Sequence, residues 1–347
     1  MKAPVLQHQP DKAQQPLYAV DNLTVDLYTA QQAVRAVDDC SFAVHAGETL
    51  AIVGESGSGK TVLTLGPLGL MPEGVSIDIR GAARTPEGDV ANGGKRRRAG
   101  LLGKEFGVVF QDPSSALNPM RRIGPQLAAQ SRRFGGVSVS HAKADAVAQL
   151  RRVGIADPES RYGCYPHELS GGMRQRAMIA LALAGRPRVL LADEPTTALD
   201  ATVQAQILDL LKSIQAVERL AVIVITHDIG VVAGLADRVA VMYAGRIVED
   251  GDAVDVLKRP AHPYTQGLLA SVPDMQSPVG TRLREIEGQP PDLSALRPGC
   301  HFAPRCFAAV DACRSLRPAL AQVPSGARGH RVACPVIAGD GTTRATS

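Results

Sequence analysis

The chain has no tryptophan, and aromatic side chains make up only 3% of its 347 residues. It also has no apolar run of the ~18 residues that a membrane-spanning helix needs, because its two most apolar stretches, 177–184 and 220–225, both end early. The first 15 residues are polar and lack the hydrophobic segment of a secretion signal. We therefore expect a chain that does not cross a bilayer by itself and is not exported, with the cytosol as its default location.

The chain also has little net charge, +4 at pH 7, which does not argue for a nucleic-acid partner. Its only dense basic run, 95–98, is more typical of a solvated loop than of a phosphate-binding patch. Six cysteines in the cytosol are unlikely to form disulfides. The length suffices for a full hydrophobic core and two domains, and the apolar and charged fractions are ordinary for a soluble globular protein.

The rest of the sequence is organised around residues 49–65, where an apolar run leads into a glycine-rich turn and then a helical pattern. The turn matches GxxxxGK[ST] and consists of Gly54, Glu55, Ser56, Gly57, Ser58, Gly59, Lys60 and Thr61. The glycines allow positive φ, so that backbone N–H groups and the following helix N-terminus can face a polyphosphate. We expect Lys60 to reach the β- and γ-phosphates and the Thr61 hydroxyl to bind Mg²⁺.

The remaining pattern predicts a parallel α/β core. Alternating residues in 18–53 predict antiparallel strands before the loop, and short apolar strands follow at 106–110, 189–192 and 221–225. Helices are predicted over 123–152, after the capping residue Ser170, and over 203–214, while Pro67 should end the first helix early. Residues 80–104 look like a loop or an irregular hairpin. Strand, helix and strand in this order indicate parallel strands with crossover helices.

Each later strand ends in a residue suited to nucleotide chemistry, and ligands of parallel sheets bind at the carboxyl ends of strands. Gln111, Asp193-Glu194 and His227 should therefore meet the phosphate loop in one crevice. Asp193 is placed to hold Mg²⁺ through water, and Glu194 to polarise the attacking water. His227 could hydrogen-bond the γ-phosphate or its water.

These residues resemble the motifs of the nucleotide-binding subunits of ABC transporters. The matching segments are the signature motif Leu169-Ser170-Gly171-Gly172-Met173, the Q-loop Gln111, the Walker B segment 189–195, the D-loop Ala198-Leu199-Asp200 and the switch histidine His227. With the phosphate loop, six motifs follow in family order across about residues 18–250. The resemblance implies a P-loop NTPase fold: a RecA-like parallel core, an antiparallel β subdomain and a helical subdomain at about 113–186.

The resemblance also implies that two such domains stack head to tail, with each ATP between the phosphate loop of one and the signature of the other. Ser170, Gly171, Gly172 and Asp200 would then face a nucleotide held by a second subunit. The site would carry ATP and Mg²⁺, with Thr61, Gln111 and Asp193 as metal ligands. Tyr28 is the nearby aromatic candidate for stacking on adenine, with Val34 also near the expected place, and we have no functional account of Pro67.

Four of the six cysteines crowd the end of the chain: Cys300, Cys306, Cys313 and Cys334. Four thiolates in a segment with few apolar anchors could bind a metal that supplies folding energy. The spacing does not match the CxxC pairs of zinc ribbons. Both Cys₄ zinc and an iron–sulfur cluster are chemically admissible, and unligated buried cysteines are the remaining alternative. This tail, with the segment 262–265 (His-Pro-Tyr-Thr), resembles the C-terminal extension of dipeptide and oligopeptide permease ATPases, in which the cysteines look like ligands of a 4Fe–4S cluster.

The predicted organisation is a disordered N-terminus (1–15), the nucleotide-binding domain (16–251), the cysteine-rich extension (252–336) and a disordered tail (337–347). The resemblance implies an ATPase at the cytoplasmic face of the membrane that drives peptide uptake. Its expected partners are a paralogous ATPase subunit in a heterodimer, two membrane permease subunits and an extracytoplasmic substrate-binding protein. Nickel chelates, haem or sugars are alternative cargoes, and a soluble ABC ATPase of DNA repair, ribosome recycling or cluster assembly is the alternative of another class.

Overall fold

The structure is a computed structural model that describes residues 15–29, 32–197, 199–272, 285–324 and 326–337. The predicted disordered ends lie outside these ranges except for residues 15 and 337, and so does Ala198 of the predicted D-loop. The chain divides into two compact units that alternate along the sequence. The first unit comprises residues 1–19, 43–49 and 84–225, and the second comprises 20–42, 50–83 and 226–347.

The strands, in chain order, are β1 (Tyr18–Tyr28), β2 (Ala33–Val44), β3 (Thr49–Val53), β4 (Ser76–Thr85), β5 (Gly88–Asp89), β6 (Phe106–Val109), β7 (Val189–Asp193), β8 (Ala221–Thr226), β9 (Arg238–Tyr243), β10 (Arg246–Asp252), β11 (Ala321–Gln322) and β12 (Arg331–Val332). The helices are α1 (Lys60–Leu65), α2 (Gly94–Leu101), α3 (Pro113–Ala116), α4 (Ile123–Arg133), α5 (Ala142–Arg152), α6 (Pro158–Arg161), α7 (Gly171–Leu183), α8 (Ala201–Glu218), α9 (Ile229–Leu235), α10 (Ala253–Lys258) and α11 (Pro263–Ala270).

The first unit is built on the parallel strands β6, β7 and β8. Leu191 of β7 lies beside Val108 of β6 and Ile223 of β8. Every residue of β7 is buried, as expected for a strand covered on both faces. Helices α4, α5 and α7 pack against one another in the same unit.

The second unit contains the sheet order β11-β12-β10-β9-β3. β3 runs parallel to β9, with Val53 beside Val241, whereas β10 and β12 pair antiparallel with Glu249 beside Val332. The last described strands of the chain therefore belong to the sheet that carries the phosphate loop. A buried cluster on this sheet includes Val53, Tyr243, Tyr264 and Phe302. β2, β1 and β4 are neighbours in a separate sheet.

The α/β class and the main predicted elements are confirmed. Each apolar run forms a strand at or within one or two residues of its expected place, and α1 ends at Leu65. Pro67 lies in a 3₁₀ turn (Gly66–Leu68) directly after it, where its missing N–H is tolerated.

The prediction for residues 80–104 is confirmed only in part: β4 and β5 form an antiparallel hairpin, with Thr85 beside Gly88, but the helix α2 was not predicted. β4 continues to Thr85, and α2 spans Gly94–Leu101, including the basic run 95–98. Lysine and arginine are good helix formers, and this helix buries none of its residues, so it has no amphipathic pattern to read in the sequence. Within the described ranges, no helix has both the length and the apolar character needed to span a membrane.

Candidate functional site

The glycine-rich turn after β3 forms a tight cradle in the second unit. Gly59 has φ +102°, and a Cβ there would come within 2.2 Å of the Ala36 carbonyl oxygen. A Cβ on Gly54 would come within 2.1 Å of the Met242 carbonyl oxygen. Because backbone atoms cannot move aside as a flexible side chain can, both positions require glycine. The predicted positive φ values are confirmed at Gly57 and Gly59.

The side chain of Lys60 is turned back onto this loop. Its Nζ donates hydrogen bonds to the carbonyl oxygens of Gly54 (2.8 Å) and Glu55 (2.9 Å), and the residue is buried. The Ser58 hydroxyl is also buried and has no hydrogen-bond partner among the residues that the structure describes. A buried ammonium and an unsatisfied hydroxyl in one glycine-rich loop suit an anionic oxygen ligand such as a phosphate.

In the first unit, the end of β6 and the end of β7 bring together Gln111 and Glu194. The Gln111 amide Nε2 donates to the Glu194 carboxylate at 2.9 Å, and the Thr197 hydroxyl donates to the same oxygen, also at 2.9 Å. Glu194 has φ +46°, a conformation that costs free energy in a residue other than glycine. Its backbone N–H donates to the Ile225 carbonyl (2.9 Å), which holds this turn against β8.

Asp193 ends β7 and is buried. His227 follows β8 directly and is exposed in the second unit, while Tyr28 ends β1 with 45% of its surface exposed. The structure therefore places Asp193 and His227 at strand ends, as the sequence indicates. Their roles toward a nucleotide, including stacking by Tyr28, stay predictions.

The predicted signature motif is the start of a helix. Ser170 is the N-cap of α7, and its hydroxyl accepts a hydrogen bond from the Met173 N–H at 3.3 Å. Asp200 caps α8 in the same way, accepting from Val203 N–H at 2.9 Å. A Cβ on Gly172 would lie 2.8 Å from a Val203 methyl group, so the two helix starts are close neighbours.

The predicted nucleotide ligands are thus distributed over both units. The first unit carries Gln111, Asp193, Glu194 and residues 170–172, while the second carries the phosphate loop and His227. The proposed Mg²⁺ set of Thr61, Gln111 and Asp193 offers hydroxyl, amide and carboxylate oxygens, which are the donors that Mg²⁺ prefers. Its assembly stays a prediction.

The predicted four-cysteine site is not supported. Among the residues that the structure describes, no group of three or more His, Cys, Asp or Glu side chains could hold a metal ion, so the described chain shows neither a 4Fe–4S nor a zinc site at Cys300, Cys306, Cys313 and Cys334. All six cysteines are free.

Three of these thiols lie in or against apolar clusters. Cys300 and Cys306 contact the cluster around Phe302, whereas Cys334 belongs to a different apolar cluster with Val323. Burial raises the pKa of Cys300 to about 11, with smaller contributions from Cys313 and Cys334. Protonated buried thiols act as small apolar side chains.

Two contacts of the site escaped the sequence analysis. Thr197 holds the Glu194 carboxylate, and Arg305 holds the Glu55 carboxylate of the phosphate loop. Neither residue belongs to a periodic pattern that would identify it in the sequence. Arg305 lies between the cysteines at 300 and 306, and a single arginine there carries no sequence signal for its ion-pair partner.

Two sequence families match the chain. One, described as ABC transporter, matches residues 37–197, and the other, described as oligopeptide/dipeptide transporter, C-terminal region, matches residues 248–313. The match to the second family covers the segment that contains Tyr264 and Arg305.

Two known ATP-binding proteins of peptide transport are similar to this chain along most of its length. It is 45% identical to a putative peptide import ATP-binding protein of Brucella abortus over 322 residues, covering 90% of this chain and 95% of that protein. It is 46% identical to the oligopeptide transport ATP-binding protein OppD of Mycobacterium tuberculosis over 320 residues, covering 92% of this chain. The chain spans about half, 52%, of the length of that mycobacterial relative.

The fold is also similar to solved structures. One is the dimeric post-hydrolysis state of the ATP-binding cassette MJ0796 bound to ADP and Pi, with a TM-score of 0.59 and 25% identity. The similarity covers 68% of this chain and 98% of the other.

Proposed function

Because the chain belongs to the family of ATP-binding proteins of oligopeptide and dipeptide ABC transporters, a family of ATPases, we propose that it is the ATP-hydrolysing motor of an importer of di- and oligopeptides. The observation that carries the proposal is the combination in one chain of a phosphate cradle that excludes side chains at Gly54 and Gly59 with a C-terminal region of the oligopeptide/dipeptide type. The relatives named above are described as peptide-transport proteins, which supports peptide as the cargo class.

The substrate in this proposal is ATP, and Lys60 is the first residue to respond to it. Its ammonium exchanges the carbonyls of Gly54 and Glu55 for phosphate oxygens, which are stronger charge-assisted acceptors. The Ser58 hydroxyl, which has no hydrogen-bond partner among the described residues, gains a phosphate oxygen as acceptor. Both changes favour the binding of a polyphosphate.

Glu194 is the general base for the attacking water. Its carboxylate already accepts two hydrogen bonds, from Gln111 and Thr197, which orient it. The strained backbone of Glu194 is held by the hydrogen bond to Ile225, so the carboxylate is positioned before substrate binds. His227 donates to the γ-phosphate or its water. Thr61, Gln111 and Asp193 would hold Mg²⁺, which would neutralise charge on the phosphates.

The signature helix start faces a second subunit. Ser170, Gly171 and Gly172 present an α-helix N-terminus, which favours an anion, and the fold is similar to a cassette solved as a dimer. We infer head-to-tail pairing with a paralogous ATPase subunit, in which Asp200 lies at the same interface. The remaining partners are two membrane permease subunits and an extracytoplasmic substrate-binding protein, so the motor works at the cytoplasmic face of the membrane and needs no nucleic acid.

The test is ATP-dependent uptake of labelled di- and oligopeptides into vesicles that contain the chain with its co-purified membrane partners. We expect uptake to stop with Lys60→Gln in the chain. If uptake were confined to nickel chelates, haem or sugars, the proposed cargo would be wrong, but the proposed role as the ATPase of an importer would stand. ATP turnover by the chain with no membrane partner in any preparation would favour a non-transport ATPase.

A further inference from the structure

The C-terminal extension reaches the phosphate loop through one arginine. Arg305 Nη1 lies 2.7 Å from one carboxylate oxygen of Glu55, and Nη2 lies 3.1 Å from the other. Only 7% of the Arg305 side chain and 23% of the Glu55 side chain is exposed. A paired, two-point contact between a guanidinium and a carboxylate fixes orientation as well as distance.

The rest of the Arg305 guanidinium is also occupied. Its Nε donates to the Glu287 carbonyl at 3.0 Å, Nη2 donates to the Ile286 carbonyl at 3.2 Å, and Nη1 donates to the Tyr243 hydroxyl at 3.4 Å. With the two bonds to Glu55, these contacts use the five N–H donors that a guanidinium has. The arginine is therefore built into the extension and is not a flexible surface side chain.

A second group of the extension holds the same loop residue. The Tyr264 hydroxyl, at the start of α11, accepts a hydrogen bond from the Glu55 backbone N–H at 2.8 Å. Tyr264 is fully buried, and its ring packs 4.6 Å from that of Tyr243 and 5.4 Å from that of Phe302. Glu55 is thus held at its carboxylate by one segment of the extension and at its amide by another.

This contact matters because Glu55 also holds the lysine that must bind phosphate. Its carbonyl oxygen accepts a hydrogen bond from Lys60 Nζ, together with the carbonyl of Gly54. The backbone conformation of Glu55 therefore sets where the Lys60 ammonium rests and how the loop amides are directed. A group that holds Glu55 in place therefore also holds the phosphate loop in its conformation.

We propose that the C-terminal extension sets the nucleotide affinity of the phosphate loop, with Arg305 and Tyr264 as positioning residues that act through Glu55. The proposal rests on the proposed function in one respect, that ATP binds at this loop. Neither residue touches the nucleotide. Movement of the extension would release Glu55 and lower the affinity for ATP, so events at the extension and nucleotide occupancy are coupled.

The test is the affinity of the whole chain for a non-hydrolysable ATP analogue, measured by calorimetric titration with Mg²⁺ present. Arg305→Ala should weaken binding about tenfold, because the bidentate ion pair is lost. Arg305→Lys keeps the charge but cannot span both oxygens, so it should recover only part of the affinity. Tyr264→Phe removes one hydroxyl and keeps the packed ring, and we expect about threefold weaker binding from a fully folded variant.

The matched control is Arg331→Ala. Arg331 is another arginine of the tail that pairs with a buried carboxylate, Asp250, but it has no contact with Glu55 in the structure, and Asp250 keeps Arg238 as a partner. If the extension had only a structural role, Arg305→Ala and Arg331→Ala would behave alike. Both would have a lower thermal midpoint of unfolding and an unchanged affinity for the analogue. That result, or unchanged affinity in Tyr264→Phe, would overturn the proposal.

A double-mutant cycle shows whether Glu55 is the intermediary. If Arg305 acts through it, Glu55→Gln combined with Arg305→Ala should bind the analogue no more weakly than the worse single variant. Additive losses would show that Arg305 acts by another route. The variant Lys60→Gln distinguishes a failure of this proposal from a failure of the proposed function. Unchanged binding of the analogue by Lys60→Gln would refute ATP binding at this loop. If Lys60→Gln abolished binding and Arg305→Ala kept the wild-type affinity, only the positioning role would be refuted.

Discussion

The Gln111 amide donates a 2.9 Å hydrogen bond to the Glu194 carboxylate, although 83 positions separate the two residues in the sequence. The contact exists because β6 and β7 are adjacent parallel strands, so the residues after them meet at one edge of the sheet. It joins a residue predicted to bind Mg²⁺ with the residue predicted to activate water.

Glu194→Gln should retain ATP binding and lose at least about a hundredfold in turnover, because an amide has no basic oxygen to take the proton of the attacking water. The measurement is phosphate release by the assembled transporter together with nucleotide affinity of the chain. Thr197→Val is the comparison, since it removes only one hydrogen bond to the carboxylate and should lower turnover by less. Wild-type phosphate release from Glu194→Gln would mean that the base lies elsewhere.

Gly59→Ala and Gly57→Ala should differ in stability although both glycines have positive φ. At Gly57 a Cβ meets no atom within 4 Å, so alanine adds only backbone strain of about 1 kcal/mol. At Gly59 the Ala36 carbonyl lies 2.2 Å from the added carbon, and we expect a loss of about 2 to 4 kcal/mol. Urea unfolding without nucleotide measures both, and equal midpoints would contradict the clash.

Acidification should destabilise the chain partly through His262. Burial lowers the pKa of His262 from 6.5 to about 4, and its Nδ1 accepts a hydrogen bond from the Tyr264 N–H. The unfolded chain binds the proton more readily, so this contribution is complete above pH 6.5 and declines as the pH falls toward 4, by about 3 kcal/mol in total.

His262→Asn tests this directly. Asparagine can still cap α11 but does not titrate, so the slope of unfolding free energy between pH 7 and 4.5 should flatten. His141→Asn, which removes an exposed imidazole, should leave the slope as it is. An unchanged slope in His262→Asn would assign the acid sensitivity to other groups.

Ser170 serves two purposes that substitution can separate. Ser170→Ala removes the cap of α7 and should cost about 1 kcal/mol of stability. Ser170→Asp keeps a capping oxygen, so stability should return, but its negative charge opposes the γ-phosphate that a partner subunit brings to this helix start. Thermal unfolding reports the capping role of Ser170, and ATP turnover of the assembled complex reports its role toward the phosphate. Full turnover in Ser170→Asp would contradict a phosphate at this position.

Local sequence determined the elements of this protein, because the signals for them are short-range. A β-branched run before a glycine-rich turn, a serine before an apolar helix and an acidic pair after a buried strand each carry their physical meaning within about ten residues. α2 escaped prediction because none of its residues is buried, so its sequence has no hydrophobic period. The family followed from the order of these local motifs.

Only the tertiary structure decided which distant groups meet. Neither Arg305 beside Glu55 nor Tyr264 beside the same residue follows from spacing, because the loop and the extension are separated by some two hundred residues and are joined by the sheet of the second unit. The tail cysteines illustrate the converse. Their number and proximity in sequence predicted a metal site, but the described residues show no group of three or more that could hold a metal ion. Cys300 and Cys306 contact one apolar cluster, whereas Cys334 belongs to another.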